Sequence, residues 1–322
     1  MKHHIYWWNL ENLFDVSNSP TRPDWLQKTL KSELQGWTQA VLDRKIEQLA
    51  SIILQLNEGK GPDIFGVCEV ENEAVVKKLI DALAPLGRHY VVRHHDTNDQ
   101  RGIDVAFFYD ADRYEDDGRL FTLEIMKRTY TRDLAQINLR TKPGGHDLVL
   151  IGNHWPARSG GQYESEPYRI MVAETLSYWI ERIQEIKGQD APIVVMGDFN
   201  DEPFNRSLQD YANSTRNRDK VLNARSVPYL YNLMWTFFDK GIGTHFFDVP
   251  TLLDQFLVSK SLTSTAANKP FVVDSVDIVN LPGMTQGEYN KPVRHSRPSQ
   301  SDYNRDGYSD HLPIHLVLTE RP

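Results

Sequence analysis

Between residues 90 and 154 the sequence offers strand after strand and no stretch with the period of a helix. Apolar or alternating runs at 90–94, 103–109, 119–127, 134–140 and 147–154 are separated only by turn-forming residues. Parallel neighbours need a crossover of about a dozen residues or more, usually a helix, so a run like this is expected to pair as an antiparallel meander. Further strand candidates lie at 5–10, 62–72, 192–197, 252–258, 271–279 and 312–318. Helical spacing appears at 38–56, where Leu42, Ile46, Leu49, Ile53 and Leu56 share a face and Thr38 is placed to cap. It appears again at 73–84, with Val75, Val76, Leu79 and Leu83. A longer helix is expected from about 166 to 187, capped by Ser165, with Ile170, Ala173, Trp179, Ile180 and Ile183 on its apolar side. Strands outnumber helices and the helices are interspersed. Sheets packed face to face, with helices on the outsides, are the expected α/β architecture.

No Pro/Gly/Ser-rich linker or internal repeat divides the chain, and 322 residues at 40% apolar can bury a large core. A single domain over 1–322 is expected. The irregular polar stretch at 15–36, with a short helix around 24–34, reads as an insert after the first strand. A spacer is the simpler reading of it; a lid or rim that narrows substrate choice is the other. Cys68 is the only cysteine, which excludes an intramolecular disulfide and a thiolate metal cluster. There is no membrane span and no sign of an obligate protein partner. The sequence as given, "MKHHIYWWNL", has no signal-peptide apolar region and points to the cytoplasm, or to secretion if a signal was removed.

Polar residues recur at the ends of apolar runs. Asn9 closes the first strand, Glu69 closes "DIFGVCE", and His154 closes "DLVLIGNH". Asp198 and Asn200 follow "PIVVMG", Asp254 sits inside "TLLDQFLV", and Asp310 and His311 precede the last strand. Each has an ordinary reading, an Asx turn at 198–200 or a surface ion pair at Glu69. Six strand ends doing this together suggest convergence on one rim. Oxygen donors without thiols, Asn9, Glu69 and Asp310, suit a hard cation such as Mg²⁺ or Mn²⁺, one ion or two. Two histidines and Asp198 supply acid–base groups, and Asp254 can orient His311 and stabilise its charge. The set fits water attacking a phosphate ester. Zinc hydrolysis fits less well, because there is no HExxH and the histidines share no ligand spacing. "DYNRDG" at 302–307 copies the start of an EF-hand loop, but its twelfth position is Pro313. That excludes an EF-hand and leaves a minor structural Ca²⁺ loop as the remaining reading.

The segments "WNLENLF", "PDIFGVCEVEN", "RGIDVAFFY", "GNHWPARSGG", "GDFND", "LLDQFLVS" and "YSDHLPI" stand in the order found in the endonuclease/exonuclease/phosphatase superfamily, in its deoxyribonuclease I-like branch. The resemblance runs from residue 7 to residue 315. It implies a four-layered α/β sandwich, two mixed, mainly antiparallel sheets between helices. It implies that Asn9 and Glu69 bind the metal, with Asp310 touching its shell. Asp198 would orient or deprotonate the attacking water, Asn200 would bond the phosphate, and Asp254 and His311 would form an Asp–His pair. His154 stands where the deoxyribonuclease I branch has a second catalytic histidine, which argues against a dedicated abasic-site enzyme. Arg132 and, on weaker likeness, Arg158 are the implied substrate contacts.

The expected function is therefore a metal-dependent phosphodiester hydrolase, a nuclease on DNA or RNA, with nucleic acid as substrate. A formal charge of −8 and local basic stretches at 93–101, 127–132, 215–220 and 291–297 pull in opposite directions on that point. The alternative is a phosphoesterase on a small or lipid-linked phosphate, although no lipid-inserting apolar hairpin is evident. A catalytically dead binding module is disfavoured by the completeness of the residue set.

Overall fold

The computed structural model describes residues 1–125 and 131–321. The strand expected at 119–127 and the basic stretch at 127–132 run into 126–130, outside the described residues. The chain begins in one sheet with β1 (Lys2–Leu13), β2 (Ile64–Val70), β3 (Tyr90–His94) and β4 (Asp104–Asp110). It then builds a second from β5 (Tyr114–Leu123), β6 (Leu134–Thr141), β7 (Asp147–His154), β8 (Ile193–Asp198), β9 (Ser214–Thr215), β10 (Leu230–Asn232) and β11 (Asp254–Val258). Strands β12 (Phe271–Ile278) and β13 (Ile314–Glu320) return to the first. In space the sheets run β12-β13-β1-β2-β4-β3 and β5-β6-β7-β8-β11-β10-β9. The pairs β1–β2, β7–β8 and β9–β10 are parallel and the other neighbours antiparallel. The sheets are mixed and mainly antiparallel, as expected.

The five-strand meander is corrected in one respect. Strands β3 and β4 pair in the first sheet, whereas β5, β6 and β7 form a meander in the second. The short turn after Asp110 carries the chain between sheets, a step that local sequence does not distinguish from a hairpin.

Alternation along the strands sorts the second sheet's two faces. Leu148, Leu150, Val194, Met196, Phe256 and Val258 face the first sheet and join its large core. Their neighbours Val149, Ile151, Ile193, Val195 and Leu257 form a second cluster with Val172, Ala173, Leu176, Ile180 and Ile183 of helix α3 (Gln162–Lys187). A strand buried on both faces reads as a continuous apolar run, which these strands do. Helices α1 (Gln39–Ile53) and α2 (Glu73–Ala82) cover the other sheet, through Leu42, Ile46, Leu49 and Ile53 and through Val75, Val76 and Leu79. Thr38 caps α1 through Val41 N at 3.4 Å, and Asn72 caps α2 through Val75 N at 3.0 Å. The long helix starts a turn earlier than Ser165 suggested. Gly161, at φ 116°, breaks the chain there, and Ser165 Oγ donates inside the first turn to Gly161 O at 2.6 Å.

The insert at 15–36 is packed down. Leu26, Leu30 and Leu34 are buried in the main core. Arg22 grips Glu71 with two hydrogen bonds of 2.6 Å, both side chains buried. Its helix is short, Asp24–Thr29.

Candidate active site

Strand register brings the polar ends together. Parallel pairing sets His154 of β7 opposite Asp198 of β8, and antiparallel pairing sets Asp198 opposite Asp254 of β11. One carboxylate thus stands between a histidine and a second carboxylate. From the facing sheet, Asn9 donates through Nδ2 to Asp198 Oδ2 at 3.1 Å. The β1–β2 pair loses its regular register after Asn9 and Cys68. Glu11, Asn12 and Glu69 all take positive φ there, at 52°, 57° and 59°. Non-glycine residues in that region are strained and persist only when their surroundings hold them. Here the holders are visible: Glu11 N donates to Asn9 Oδ1 and Asn12 N to Glu69 Oε2, each at 2.9 Å. Beneath them the fully buried Lys45 donates to Glu11 O at 2.9 Å.

His311 Nδ1 lies 2.7 Å from Asp254 Oδ2, and the other Asp254 oxygen accepts from the Trp7 indole at 3.2 Å. His311 Nε2 then faces Asp198 Oδ2 at 3.8 Å. Burial alone would push the imidazole pKa down, but the carboxylates of Asp254 and Asp198 outweigh it and hold His311 well above its usual range. Burial, reinforced by Asp254 and Glu69, raises Asp198 to about 6. Glu69 goes the other way: burial would raise it, but Arg101, Arg132 and His311 hold it below its usual value.

His154 differs from the expectation of an acid–base group. Its Nε2 is 2.8 Å from Arg132 Nη2. A guanidinium can only donate, so the ring accepts and is neutral. Burial and the charges of Arg132, Arg101 and His311 push its pKa well below the ordinary value. Arg132 is itself braced by Asp99 Oδ2 at 3.3 Å. Asn200, at φ 49°, donates its backbone N–H to Asp198 Oδ1 at 2.9 Å and its side-chain amide to Trp155 O at 3.0 Å. The Asx turn and the presentation of two polar side chains are therefore the same feature.

Two expected residues are also engaged by neighbours, although Arg158 lines the depression beside Asn200 and the charge of Asp310 helps to raise the His311 pKa. Arg158 donates to Asn200 O at 2.7 Å and reaches Asp201 at 3.3 Å, so its head supports the loop. Asp310 faces Arg294 at 3.5 Å on the rim. The carboxylates of the 302–307 stretch have partners of their own. Asp302 is taken by Ser296 at 2.7 Å and Arg294 at 3.1 Å, and Asp306 by Arg44 at 2.6 Å. Sequence reading passed over Arg101, which bonds Asn12, although it lies in a stretch noted as basic. It also passed over His245, whose ring sits 4.7 Å from that of His311 and whose pKa burial and His311 lower to about 3. Nor was the hairpin pairing His245–Phe247 with Val249–Thr251 legible; it exposes Phe247 by 74% and Val249 by 61% beside the site.

A hard cation fits this centre. Glu69 stays charged beside Asp198 and Asp254, and it is their mutual repulsion, with burial, that raises Asp198; a divalent ion would relieve it. Asn9 and Glu69 offer oxygen donors. Asp198, Asp254 and His311 also lie within ligand distance of one another, but Asp254 already engages His311 Nδ1, which makes that group an Asp–His pair. Two depressions, one lined by Asn200 and the other by Arg132, adjoin at Ser159 and Gly160. One, of about 570 Å³, is lined by Asn200, His245, Phe247 and Leu253; the other, of about 460 Å³, by Asp99, Arg101 and Arg132.

The profile of the Endonuclease/Exonuclease/phosphatase family matches residues 4–320, and the chain belongs to that family. No curated protein sequence matches it. Solved structures share the fold at low identity. An endonuclease/exonuclease/phosphatase family protein from Bacteroides thetaiotaomicron aligns over 100% of this chain and 99% of its own, at 16% identity and TM-score 0.58. A mannosyl-6-phosphatase of the same organism aligns over 98% and 99%, at 17% and 0.56. D. rerio TDP2, complexed with single strand DNA product, aligns over 99% of both chains, at 14% and 0.57.

Proposed function

We propose that this member of the endonuclease/exonuclease/phosphatase family is an Mg²⁺- or Mn²⁺-dependent phosphodiesterase, and that its substrate is a nucleic-acid strand, DNA in the first instance. The observation that carries this reading is a pair of adjoining depressions, one lined by Asn200 and the other by Arg132, which meet at Ser159 and Gly160 and leave room for a group on each arm of a diester. Asp198 accepts the proton of the attacking water. His311, kept charged by Asp254, faces the oxyanion and can pass a proton to the leaving oxygen. Arg132 and Asn200 orient the phosphate. A hard cation held by Asn9 and Glu69 would supply further positive charge to the phosphoryl oxygens.

A phosphorylated small or lipid-linked substrate is the second reading, and a specific observation favours it. Three cationic side chains around the site are already paired with carboxylates, Arg132 with Asp99, Arg158 with Asp201 and Arg294 with Glu11, and Arg101 is held by the Asn12 amide. Among the described residues, those ion pairs leave a long polyanion fewer unpaired cations to follow. The test offers a plasmid, a short single-stranded oligonucleotide and an activated diester, bis(p-nitrophenyl) phosphate, each in Mg²⁺ and in Mn²⁺, with His311→Ala as control. Strand cleavage that vanishes in the variant supports the nuclease. Hydrolysis of the activated diester alone transfers the reading to the small substrate, and no hydrolysis of any of the three overturns the phosphodiesterase.

A further inference from the structure

Away from the catalytic centre, one cluster of ligand-type side chains has an unsatisfied buried member. His94 at the end of β3, Asp96 in the loop that follows and Asp104 at the start of β4 each bring a ligand atom within 4.8 Å of the others. The His94 side chain is 3% exposed and its Nε2 has no hydrogen-bond partner. Such orphans are rare in folded proteins because each costs its full desolvation. The Asp104 side chain is equally buried, at 2%. Its Oδ1 takes Thr97 Oγ1 at 2.5 Å and Thr97 N at 3.2 Å, which leaves Oδ2 facing His94 Nε2 at 3.8 Å. That gap is too long for a hydrogen bond. It is close to the spacing of two ligands on one ion, since donors at roughly 2.1 Å from a metal stand about 3 to 4 Å apart. Asp96, 78% exposed, lies 3.7 Å from the ring's other nitrogen and can turn without disturbing the core. Asp96, Thr97 and Asp104 also line a cavity of about 140 Å³ whose far wall includes Arg22 and Trp25 of the packed insert.

We propose that His94, Asp96 and Asp104 form a second divalent-cation site. One imidazole nitrogen with two carboxylates, completed by water, suits Zn²⁺ or Mn²⁺ and differs from the oxygen donors offered at the catalytic centre. The ion would tie the end of β3 to the start of β4 and close the base of the loop between them. That loop carries Asp99, which braces Arg132, and Arg101, which bonds Asn12. The ion would act on the catalytic centre only by positioning those two residues. The proposal does not depend on which phosphate ester the protein cleaves.

The test uses the full chain stripped with chelator, in a Glu69→Gln background that weakens the catalytic ion. Zn²⁺ and Mn²⁺ are titrated by calorimetry, and bound metal is counted after dialysis, with and without Asp96→Asn or His94→Ala. One ion fewer per chain in each added variant, a Kd raised more than tenfold, and loss of the metal-induced rise in Tm are expected. Equal metal content and equal Tm response with and without Asp96→Asn would overturn the site. Asp96 is exposed, so that variant tests the idea even if His94→Ala fails to fold.

Discussion

Each oxygen of Asp198 has its own task. Oδ1 closes the turn onto Asn200 N, while Oδ2 meets Asn9 and looks toward both His154 and His311. A base raised to about 6 by burial is protonated below that value. Turnover should therefore fall about tenfold per pH unit as pH drops through 6, seen in the acid limb of kcat. The alkaline limb belongs to His311, which has to stay charged. Asp254→Asn removes the strongest charge holding it so, and the alkaline limb should move to lower pH. A limb that stays in place would detach Asp254 from His311 in the reaction. His311→Ala should lower kcat a hundredfold or more, roughly the worth of a general acid–base group. Glu69→Ala should mainly raise the Mg²⁺ concentration needed for half-maximal rate.

At the scale of elements, the site depends on the broken register of β1 and β2 and on what holds it. Lys45 of α1 is fully buried and binds Glu11 O and Tyr308 O, at 2.9 and 3.3 Å. Glu11 in turn is gripped by Arg294 at 2.7 Å and by His295 N at 2.8 Å. Lys45→Met should leave the Glu11 backbone carbonyl and carboxylate short of a partner and destabilise the fold by about 3 kcal/mol. A shift of the urea midpoint at constant m-value would show it. The start of α3 is also set by backbone geometry. Ser165 is a good capping residue by type, but the φ of 116° at Gly161 decides where the chain turns.

The whole molecule places the two sheets close together, and glycines at their contact set the spacing. A Cβ on Gly152 would stand 2.7 Å from Val105 Cγ1 and 2.8 Å from the Phe107 ring. Gly152→Ala should cost about 1–3 kcal/mol by overpacking, read as a lowered Tm. Charge is also a property at this scale. With −8 overall and Arg132, Arg158 and Arg294 each paired with a carboxylate, cleavage of a single-stranded oligonucleotide should depend weakly on salt. A steep loss of affinity between about 50 and 200 mM salt would reveal a basic track after all.

Periodicity alone marked the long strands, the three long helices and the face-to-face packing, because burial on two sides imposes long apolar runs that are visible without coordinates. Residue types at strand ends marked Asn9, Glu69, His154, Asp198, Asn200, Asp254 and His311 for one rim, and register does bring them together. Partnership was another matter. That Arg132 neutralises His154 as a base, that Arg158 serves the loop at Asn200, that Asp306 is claimed by Arg44, and that His94 is left facing Asp104 are all contacts between residues far apart in the chain or on different strands. A side chain's type says which bonds it can make. Only the packing of the sheets decides which partner arrives first, and hence which groups are left free for chemistry.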